Sequence, residues 1–247
     1  MLPVSKFFIH LFQRRCETYQ GGNCGFIPVD YAVSLRRWCD RYNAILIFDE
    51  VQAGFGRTGK LWGFEHYRII PDIMCLGKGI TSSLPISAVV GREEIMNMYG
   101  PGSMTSTHSG YPLGAASALA SIEIIERENL VENARTMGER LFEGLKDIQE
   151  RHSDFFDLQG RGLVYAFMAL KDRSTMEPDD DCAFDIVKRC FENGLLMFAP
   201  VGRGGGTVKI SPPLCITADA VDEGVGVFGS EVDAVLKKYK KNVHTKS

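Results

Sequence analysis

The stretch Ala44-Ile45-Leu46-Ile47-Phe48-Asp49 decides the fold of this chain, because five consecutive apolar residues end on a single acid. A second apolar run, Ile73-Met74-Cys75-Leu76, leads into Gly77-Lys78-Gly79. Short continuous apolar runs are typical of buried strands in a parallel sheet. Lys78 follows Asp49 by 78 − 49 = 29 residues, about the length of one strand-connection-strand unit. The two runs therefore predict buried strands of a mostly parallel sheet in an α/β fold.

Asp49 and Lys78 form a candidate catalytic pair at the ends of these strands. Open α/β sheets bind ligands at the carboxyl ends of their strands. An acid and an amine at such ends suit pyridoxal 5'-phosphate, because the acid keeps the pyridine nitrogen protonated and the amine holds the aldehyde as a Schiff base. Alone, an acid such as Asp49 is usually a cap or an ion-pair partner, and a lysine such as Lys78 is usually solvated. Their joint occurrence at two strand ends favours the cofactor site.

Length and composition set broad limits on function. The chain has 247 residues, 45% of them hydrophobic and 24% charged, which is typical of a globular protein with one large or two modest domains. A net charge of −3 gives no reason to expect nucleic acid or an anionic membrane as partner. The seven cysteines include no CxxC pair and predict neither a zinc site nor a disulfide framework. We expect a cytoplasmic protein with reduced thiols, no metal and no membrane span.

The first fifteen residues are basic and apolar. They are compatible with a weak organellar targeting segment, although the apolar stretch is short and no small-residue cleavage site follows. An N-terminal strand, or the altered start of a longer protein, is the favoured interpretation.

Hydrophobic periodicity predicts the remaining organisation. Tyr31 to Arg41 predicts a helix with one buried face, and Leu113 to Glu126, which is apolar on nearly all faces, predicts a buried helix. Leu195 to Phe198 predicts a strand. We place a domain boundary after a long amphipathic helix. Residues 1–154 would form a partial large, cofactor-binding domain, and residues 155–247 a C-terminal α+β small domain.

Five short sequence motifs, in this order along the chain, resemble those of class III (omega-type) aminotransferases. They are Glu17-Thr18-Tyr19-Gln20-Gly21-Gly22, the stretch from Ile47 to Lys60, Pro71 to Gly79, Thr107 to Leu113, and Ser211-Pro212-Pro213-Leu214. The resemblance runs from about Glu17 to the end and is specific for family but not for substrate. It implies a fold type I enzyme that transfers an amino group between an amine or ω-amino acid and an α-keto acid, with pyridoxal 5'-phosphate as cofactor.

The resemblance implies a role for each matching residue at the cofactor. Asp49 would pair with the ring nitrogen, Val51 would pack on a ring face, and Gln52 would donate to the ring's phenolic oxygen. Lys78 would hold the aldehyde and then act as the base that moves the substrate's proton. Thr107 would bind the cofactor phosphate of the neighbouring subunit, which implies a homodimer. Simple core packing for Val51 and a loop role for Thr107 stay open.

Three further residues are implied to lie near the substrate. Glu17 and Gln20 belong to the first of the five motifs. Many class III enzymes carry an arginine just before the motif that resembles Ser-Pro-Pro-Leu, and this arginine binds a substrate carboxylate. Lys209 takes that place in this chain, and lysine is a point charge without the bidentate fork of arginine.

The chain departs from the family at its N-terminus. Class III enzymes are considerably longer there, and their additional part carries a Gly-Ser/Thr turn that binds the cofactor phosphate at a helix N-terminus. No equivalent turn precedes Glu17, and the glycine-rich stretch Gly202 to Gly206 predicts a hairpin-like turn instead. We therefore expect an N-terminally truncated member with a partial large domain, whose sheet would have apolar edges to cover.

Two other functions stay open. Because the phosphate site is incomplete, the chain could be a catalytically incompetent fragment or a subunit that requires a partner chain. It could also be a related pyridoxal phosphate decarboxylase or racemase of the same family.

Overall fold

The structure is a computed structural model that describes residues 13–103 and 105–244. By their contacts these residues form two compact units. The first unit consists of the chain up to Tyr19 and of Phe26–Val131, and the second of Gln20–Gly25 and the chain from Glu132 onwards. Within these residues, no helix is both long and apolar enough to cross a membrane.

A four-stranded sheet is the centre of the first unit. The elements in chain order are β1 (Gln13–Glu17), β2 (Tyr19–Gln20), β3 (Gly25–Phe26), α1 (Val29–Tyr42), β4 (Ile45–Asp49), β5 (Ile73–Leu76), β6 (Ala88–Gly91), α2 (Glu93–Met96) and α3 (Pro112–Arg127). The sheet order is β1-β4-β5-β6, with β1, β4 and β5 parallel and β6 antiparallel at one edge. The short strands β2 and β3 pair with each other. The first residue of β2 and the last residue of β3 belong to the first unit, and the residues between them belong to the second. The predicted α/β class with a mostly parallel sheet is confirmed.

Side chains of the central strand β4 alternate between a packed face and a less covered face. Leu46 and Phe48 are fully buried and pack with Ala32 of α1 and with Tyr67. Ile45 and the other residues that alternate with them are only half-buried. The continuous apolar run therefore supplies two apolar faces, and this unit covers one of them fully.

Helix α3 differs from its prediction, which was a helix buried on nearly all sides. Its bounds match, but Gly114 and Ile125 are its only buried residues, and Leu119 is 63% exposed. Ile125 packs with Leu76 of β5 and with Ile80. A helix that is apolar all round needs neighbours all round, and within the described residues α3 has neighbours mainly on the Ile125 side.

The second unit packs helices on an antiparallel sheet. Its elements are α4 (Leu130–Arg151), β7 (Phe156–Arg161), β8 (Val164–Asp172), β9 (Glu177–Pro178), α5 (Asp180–Glu192), β10 (Thr207–Ile210) and α6 (Ala218–His244). The sheet order is β10-β8-β7, and β9 also pairs with β8. The rings of Phe156, Phe167 and Phe228 meet in the core, with centroids 4.6 Å and 5.1 Å apart. This is the α+β arrangement expected for the C-terminal part.

The long helix α4 lies almost wholly in the second unit, whereas the sequence placed the boundary after residue 154. The physical reason is its apolar stripe, in which Leu141, Leu145 and Ile148 are buried in the core of the second unit. Periodicity reveals such a stripe but does not show which core it enters.

The predicted strand at Leu195 to Phe198 is wrong. The segment is extended coil, with Leu196 82% exposed, while Leu195 and Met197 pack partly onto the core. Its side chains therefore alternate between the core and solvent, as those of a strand do. A strand also needs a hydrogen-bonded neighbour, and none pairs with this segment in the part of the chain that the structure describes.

Candidate active site

Three of the predicted site residues stand at one edge of the first unit's sheet. Glu17 ends β1 and Asp49 ends β4, and their Cα atoms are paired in the register of these strands. Asp49 is also paired with Cys75 of β5, and Lys78 follows the end of β5 by two residues. Because β1, β4 and β5 are parallel, Glu17, Asp49 and Lys78 share the carboxyl edge, which is where such sheets bind ligands.

The Asp49 carboxylate is held by the backbone that follows it. Its Oδ1 accepts a hydrogen bond from the N–H of Val51 at 3.0 Å. The Val51 side chain lies against the second motif, since a Cβ built on Gly77 would be 3.3 Å from Val51 Cγ1. The acid-bearing turn and the lysine-bearing turn therefore lie side by side.

Lys78 sits in an unusual backbone conformation. It opens a 3₁₀ turn, Lys78–Ile80, with a φ of 44°, which non-glycine residues adopt uncommonly. A Cβ on Gly79 would approach Phe55 Cβ to 3.2 Å, so the turn packs closely under the lysine. The Lys78 side chain is exposed and has no hydrogen-bond or ion-pair partner among the described residues. Strained backbone of this kind clusters at functional sites.

Gln52 and Thr107 occupy different surroundings in the same unit. The backbone carbonyl of Gln52 accepts a hydrogen bond from the hydroxyl of Tyr19 at 3.2 Å, and the residue is half-buried. Thr107 is exposed in a turn. The roles assigned to these residues stay predictions.

The remaining two predicted residues, Gln20 and Lys209, belong to the second unit. Gln20 Oε1 accepts a hydrogen bond from the N–H of Asn23 at 2.8 Å. Lys209 Nζ donates to the carbonyl oxygen of Gly21 at 3.0 Å. An ammonium carries a positive charge and three donors, which is the chemistry that an anion requires.

Sequence reasoning missed Glu50, a fully buried carboxylate directly after Asp49. Its Oε1 accepts from the hydroxyl of Thr18 at 2.6 Å and from the N–H of Phe64 at 2.8 Å, and its Oε2 accepts from the N–H of Gly63 at 2.8 Å. Burial raises the pKa of Glu50, and these three donors oppose the rise. The available signal was a second acid within a buried motif, because a buried charge requires partners.

Asp72, just before β5, was also missed. Its Oδ2 accepts from the N–H of Leu46 and from Arg36 Nη1, both at 2.8 Å, and its Oδ1 accepts from Arg92 Nη1 at 3.1 Å. Burial alone would raise the pKa of Asp72, but these hydrogen bonds outweigh it and hold the pKa below its ordinary value. Asp72 thus ties α1, β4 and the residue that follows β6 to the start of β5.

These features are those of an α/β protein that binds a ligand at the carboxyl ends of its strands. The chain belongs to the class III aminotransferase family, because the family model described as "Aminotransferase class-III" matches residues 16–231. Members of this family depend on pyridoxal phosphate.

Known relatives carry more than one activity in their names. The chain is 34% identical to an alanine/serine racemase of Pyrococcus horikoshii over 91% of this chain and 47% of the relative. It is 35% identical to a taurine–pyruvate aminotransferase of Bilophila wadsworthia over 89% of this chain and 51% of the relative. The chain therefore spans about half the length of the curated relatives it matches.

Solved structures show the same fold. A transaminase from the marine bacterium Virgibacillus superposes with a TM-score of 0.83 at 32% identity, covering 91% of this chain and 53% of that chain. The solved relatives are transaminases of fold type I, which confirms the predicted fold class.

The residues at the carboxyl edge fit the ring end of pyridoxal phosphate. An acid and an amine stand at adjacent strand ends, and Val51, a β-branched apolar side chain, lies between their turns against Gly77. These are the groups that a pyridine nitrogen, an aldehyde and a ring face require. Among the described residues, no group of three or more His, Cys, Asp or Glu side chains is placed to hold a metal ion.

Proposed function

We propose that this chain binds pyridoxal phosphate through Lys78 and takes part in transferring an amino group between an amine or ω-amino acid and an α-keto acid. The observation that carries the proposal is the pair formed by Asp49 and Lys78 at the carboxyl ends of two adjacent parallel strands. Membership in the class III aminotransferase family supports it.

Each residue of the first unit has a defined task in this proposal. The bound cofactor supplies an electron sink for the charge that develops at the α-carbon of the substrate. The Asp49 carboxylate would hold a proton on the pyridine nitrogen, Val51 would pack on the ring, and Gln52 would donate to the phenolic oxygen. The Lys78 amine would hold the cofactor through its aldehyde. Lys78 Nζ would also serve as the base that accepts the α-proton of the substrate.

Substrate contacts and assembly complete the proposal. Glu17 is paired with Asp49 at the carboxyl edge, which supports a place near the substrate. Gln20 is a second substrate contact, and the charge of Lys209 serves a substrate carboxylate. Thr107 binds the phosphate of a second subunit in a homodimer. The seven cysteines form no disulfide in the described part of the chain, which supports a reducing, cytoplasmic location.

Racemisation of an amino acid is a second candidate function. The specific observation that favours it is the 34% identity to a relative named as an alanine/serine racemase. Both reactions begin with removal of the α-proton, so the same Asp49 and Lys78 serve either one. The two differ in where the proton returns.

Reduction with borohydride in the presence of pyridoxal phosphate tests the site. We expect one label per chain, mapped to the peptide that contains Lys78. K78R should remove this label, and K60R should retain it, because Lys60 is an exposed lysine of the same region. A folded wild-type chain without label on Lys78 would contradict the proposal and favour a subunit that requires a partner chain.

Half-reactions separate the two candidate reactions. A transaminase incubated with an amine donor accumulates the pyridoxamine form of the cofactor together with the keto product. A racemase returns the aldehyde form and an amino acid of inverted configuration. Absorbance spectra and chiral chromatography of the same sample decide between them.

A further inference from the structure

At the carboxyl edge of the sheet, backbone hydrogen bonds between strands extend one residue past Glu17 and Asp49. The N–H of Glu50 donates to the carbonyl oxygen of Cys75 at 2.9 Å, and the N–H of Thr18 donates to the carbonyl oxygen of Asp49 at 3.3 Å. The Thr18 hydroxyl then reaches Glu50 Oε1 at 2.6 Å. The Glu50 side chain therefore links the residue after β4 to the residue after β1.

A third segment closes on the same carboxylate. Gly63 and Phe64, whose N–H groups donate to Glu50, are the first residues of the 3₁₀ turn Gly63–Tyr67. The hydroxyl of Tyr67 in turn donates to the carbonyl oxygen of Thr18 at 2.5 Å. These hydrogen bonds form a closed network that joins the ends of β1 and β4 to the Gly63–Tyr67 turn.

Atoms pack closely around this hydrogen-bond network, so its backbone has little room to shift. A Cβ on Gly63 would be 2.6 Å from Thr18 Cγ2 and 2.7 Å from Ala53 Cβ. Thr18, Glu50 and Tyr67 are all fully buried. The hydrogen bonds among them are therefore shielded from solvent in the folded chain.

We infer that Glu50 is a positioning residue of the candidate active site. Its carboxylate clamps the ends of β1 and β4 to the Gly63–Tyr67 turn and so holds Glu17 and Asp49 in place at the carboxyl edge. This inference rests on the proposed function for its consequence, since the Asp49 carboxylate can meet a ring nitrogen only in one orientation. Glu50 itself touches neither cofactor nor substrate.

Only a carboxylate of this length satisfies the geometry. All three groups that face Glu50 donate, so an ionised acid with two acceptor oxygens matches them. Glutamine would turn an NH₂ donor towards one of these donors. Aspartate is shorter by one methylene and would leave at least one buried donor unpaired.

Amide exchange in the full chain, measured by NMR without cofactor, tests the clamp. The reporter is the N–H of Val51, because it donates to Asp49 Oδ1 and so follows the orientation of that carboxylate. We expect E50Q to speed exchange at Thr18 and Val51 by roughly tenfold. The matched control is E65Q, since Glu65 Oε1 accepts from the N–H of Trp62 at the start of the same turn. It should affect Trp62 and leave Val51 unchanged.

Substitutions of Thr18 keep the test decisive if E50Q does not fold. T18V removes the hydroxyl but keeps the Gly63 and Phe64 bonds, so it should also speed exchange at Val51. T18S retains the hydroxyl and should restore the wild-type rate. Wild-type exchange at Val51 in folded E50Q, or in folded T18V, would overturn the inference.

A cofactor titration separates this inference from the proposed function. If wild-type chain takes no label on Lys78, the proposed function fails, and the exchange rates alone decide the role of Glu50. If wild-type chain is labelled, we expect E50Q to weaken cofactor affinity about tenfold and to shift the pH titration of the bound cofactor's absorbance. E65Q should change neither. An unshifted pH titration in labelled E50Q would overturn the positioning role.

Discussion

At the scale of single residues, the site depends on short contacts between neighbours in space. Asp49 and Lys78 are 29 residues apart in sequence, 78 − 49, yet the side chain of Val51 lies beside Gly77, where a Cβ would be 3.3 Å from Val51 Cγ1. The positive φ of Lys78 places strain at the residue that carries the proposed chemistry. In the proposed function the two residues act on the same cofactor, so a change in either one should alter what the other does.

Substitution of Lys78 tests the proposed base. We expect K78R to lower the rate of proton transfer by about 10²–10⁴-fold, the usual contribution of a positioned general base. The measurement is the single-turnover rate with an amine donor, followed by cofactor absorbance. K60R is the control, and its rate should equal that of wild type. Equal rates in K78R and wild type would exclude Lys78 as the base.

Substitution of Lys209 tests the proposed carboxylate contact. We expect K209A to raise the Michaelis constant for the α-keto acid by about 10- to 100-fold, the value of a charge-assisted hydrogen bond. K209R keeps the charge and should retain most of the affinity. Because Lys209 also donates to Gly21, thermal unfolding of each variant is measured alongside. An active K209A preparation with an unchanged Michaelis constant would remove Lys209 from the substrate site.

At the scale of elements, Asp72 holds the first unit together at the amino side of its sheet. Its carboxylate is buried and receives donors from α1, from β4 and from Arg92. These bonds lower its pKa in the folded chain relative to the unfolded value of about 3.9. Its contribution to stability is therefore full above the unfolded pKa and is lost as the pH falls through the folded pKa.

The Asp72 network predicts a pH-dependent loss of stability. At neutral pH, D72N should lower the free energy of unfolding by about 2–4 kcal/mol. The difference from wild type should shrink as the pH falls below about 4, where Asp72 becomes protonated in the unfolded chain, and should vanish once the pH passes the lower pKa of the folded carboxyl. D40N is the control, because Asp40 pairs with the same Arg36 but is exposed, and its effect should stay below about 1 kcal/mol. Urea unfolding across pH measures both, and a pH-independent difference would contradict the assignment.

Helix α3 offers a second prediction at this scale. Ile125 is 7% exposed and packs with Leu76, whereas Leu119 is 63% exposed. I125A should therefore cost about 2–4 kcal/mol of unfolding free energy, and L119A should cost less than about 0.5 kcal/mol. Chemical denaturation of the 247-residue chain compares the two. Equal losses would mean that the apolar outer side of α3 is covered in solution.

At the scale of the whole molecule, each unit has its own hydrophobic core. The first packs one face of its sheet around Leu46 and Phe48, and the second packs helices around Phe167. All the ring-end residues assigned to the cofactor lie in the first unit. The chain spans about half the length of its curated relatives, and the exposed side of α3 is apolar. For both reasons, an assay in which this chain alone is inactive should be repeated with a partner chain added.

Sequence by itself determined the strands β4 and β5, the family and the candidate pair of Asp49 and Lys78. Continuous apolar runs report buried strands directly, and an acid or amine after such a run marks its carboxyl end. Sequence patterns also gave the bounds of α3 within two residues. These properties depend on residues close together in the chain.

Tertiary structure alone decided which residues meet and which faces are covered. It placed Thr18, Gly63 and Phe64 on the Glu50 carboxylate, joined α4 to the second core, and left α3 and Leu196 exposed. Hydrophobic periodicity records that a side chain can be buried, but burial itself requires a neighbour distant in sequence. Hydrogen-bond partners 13 to 32 positions from Glu50 leave no periodic signal, so the clamp beside Asp49 emerges only once the chain is folded.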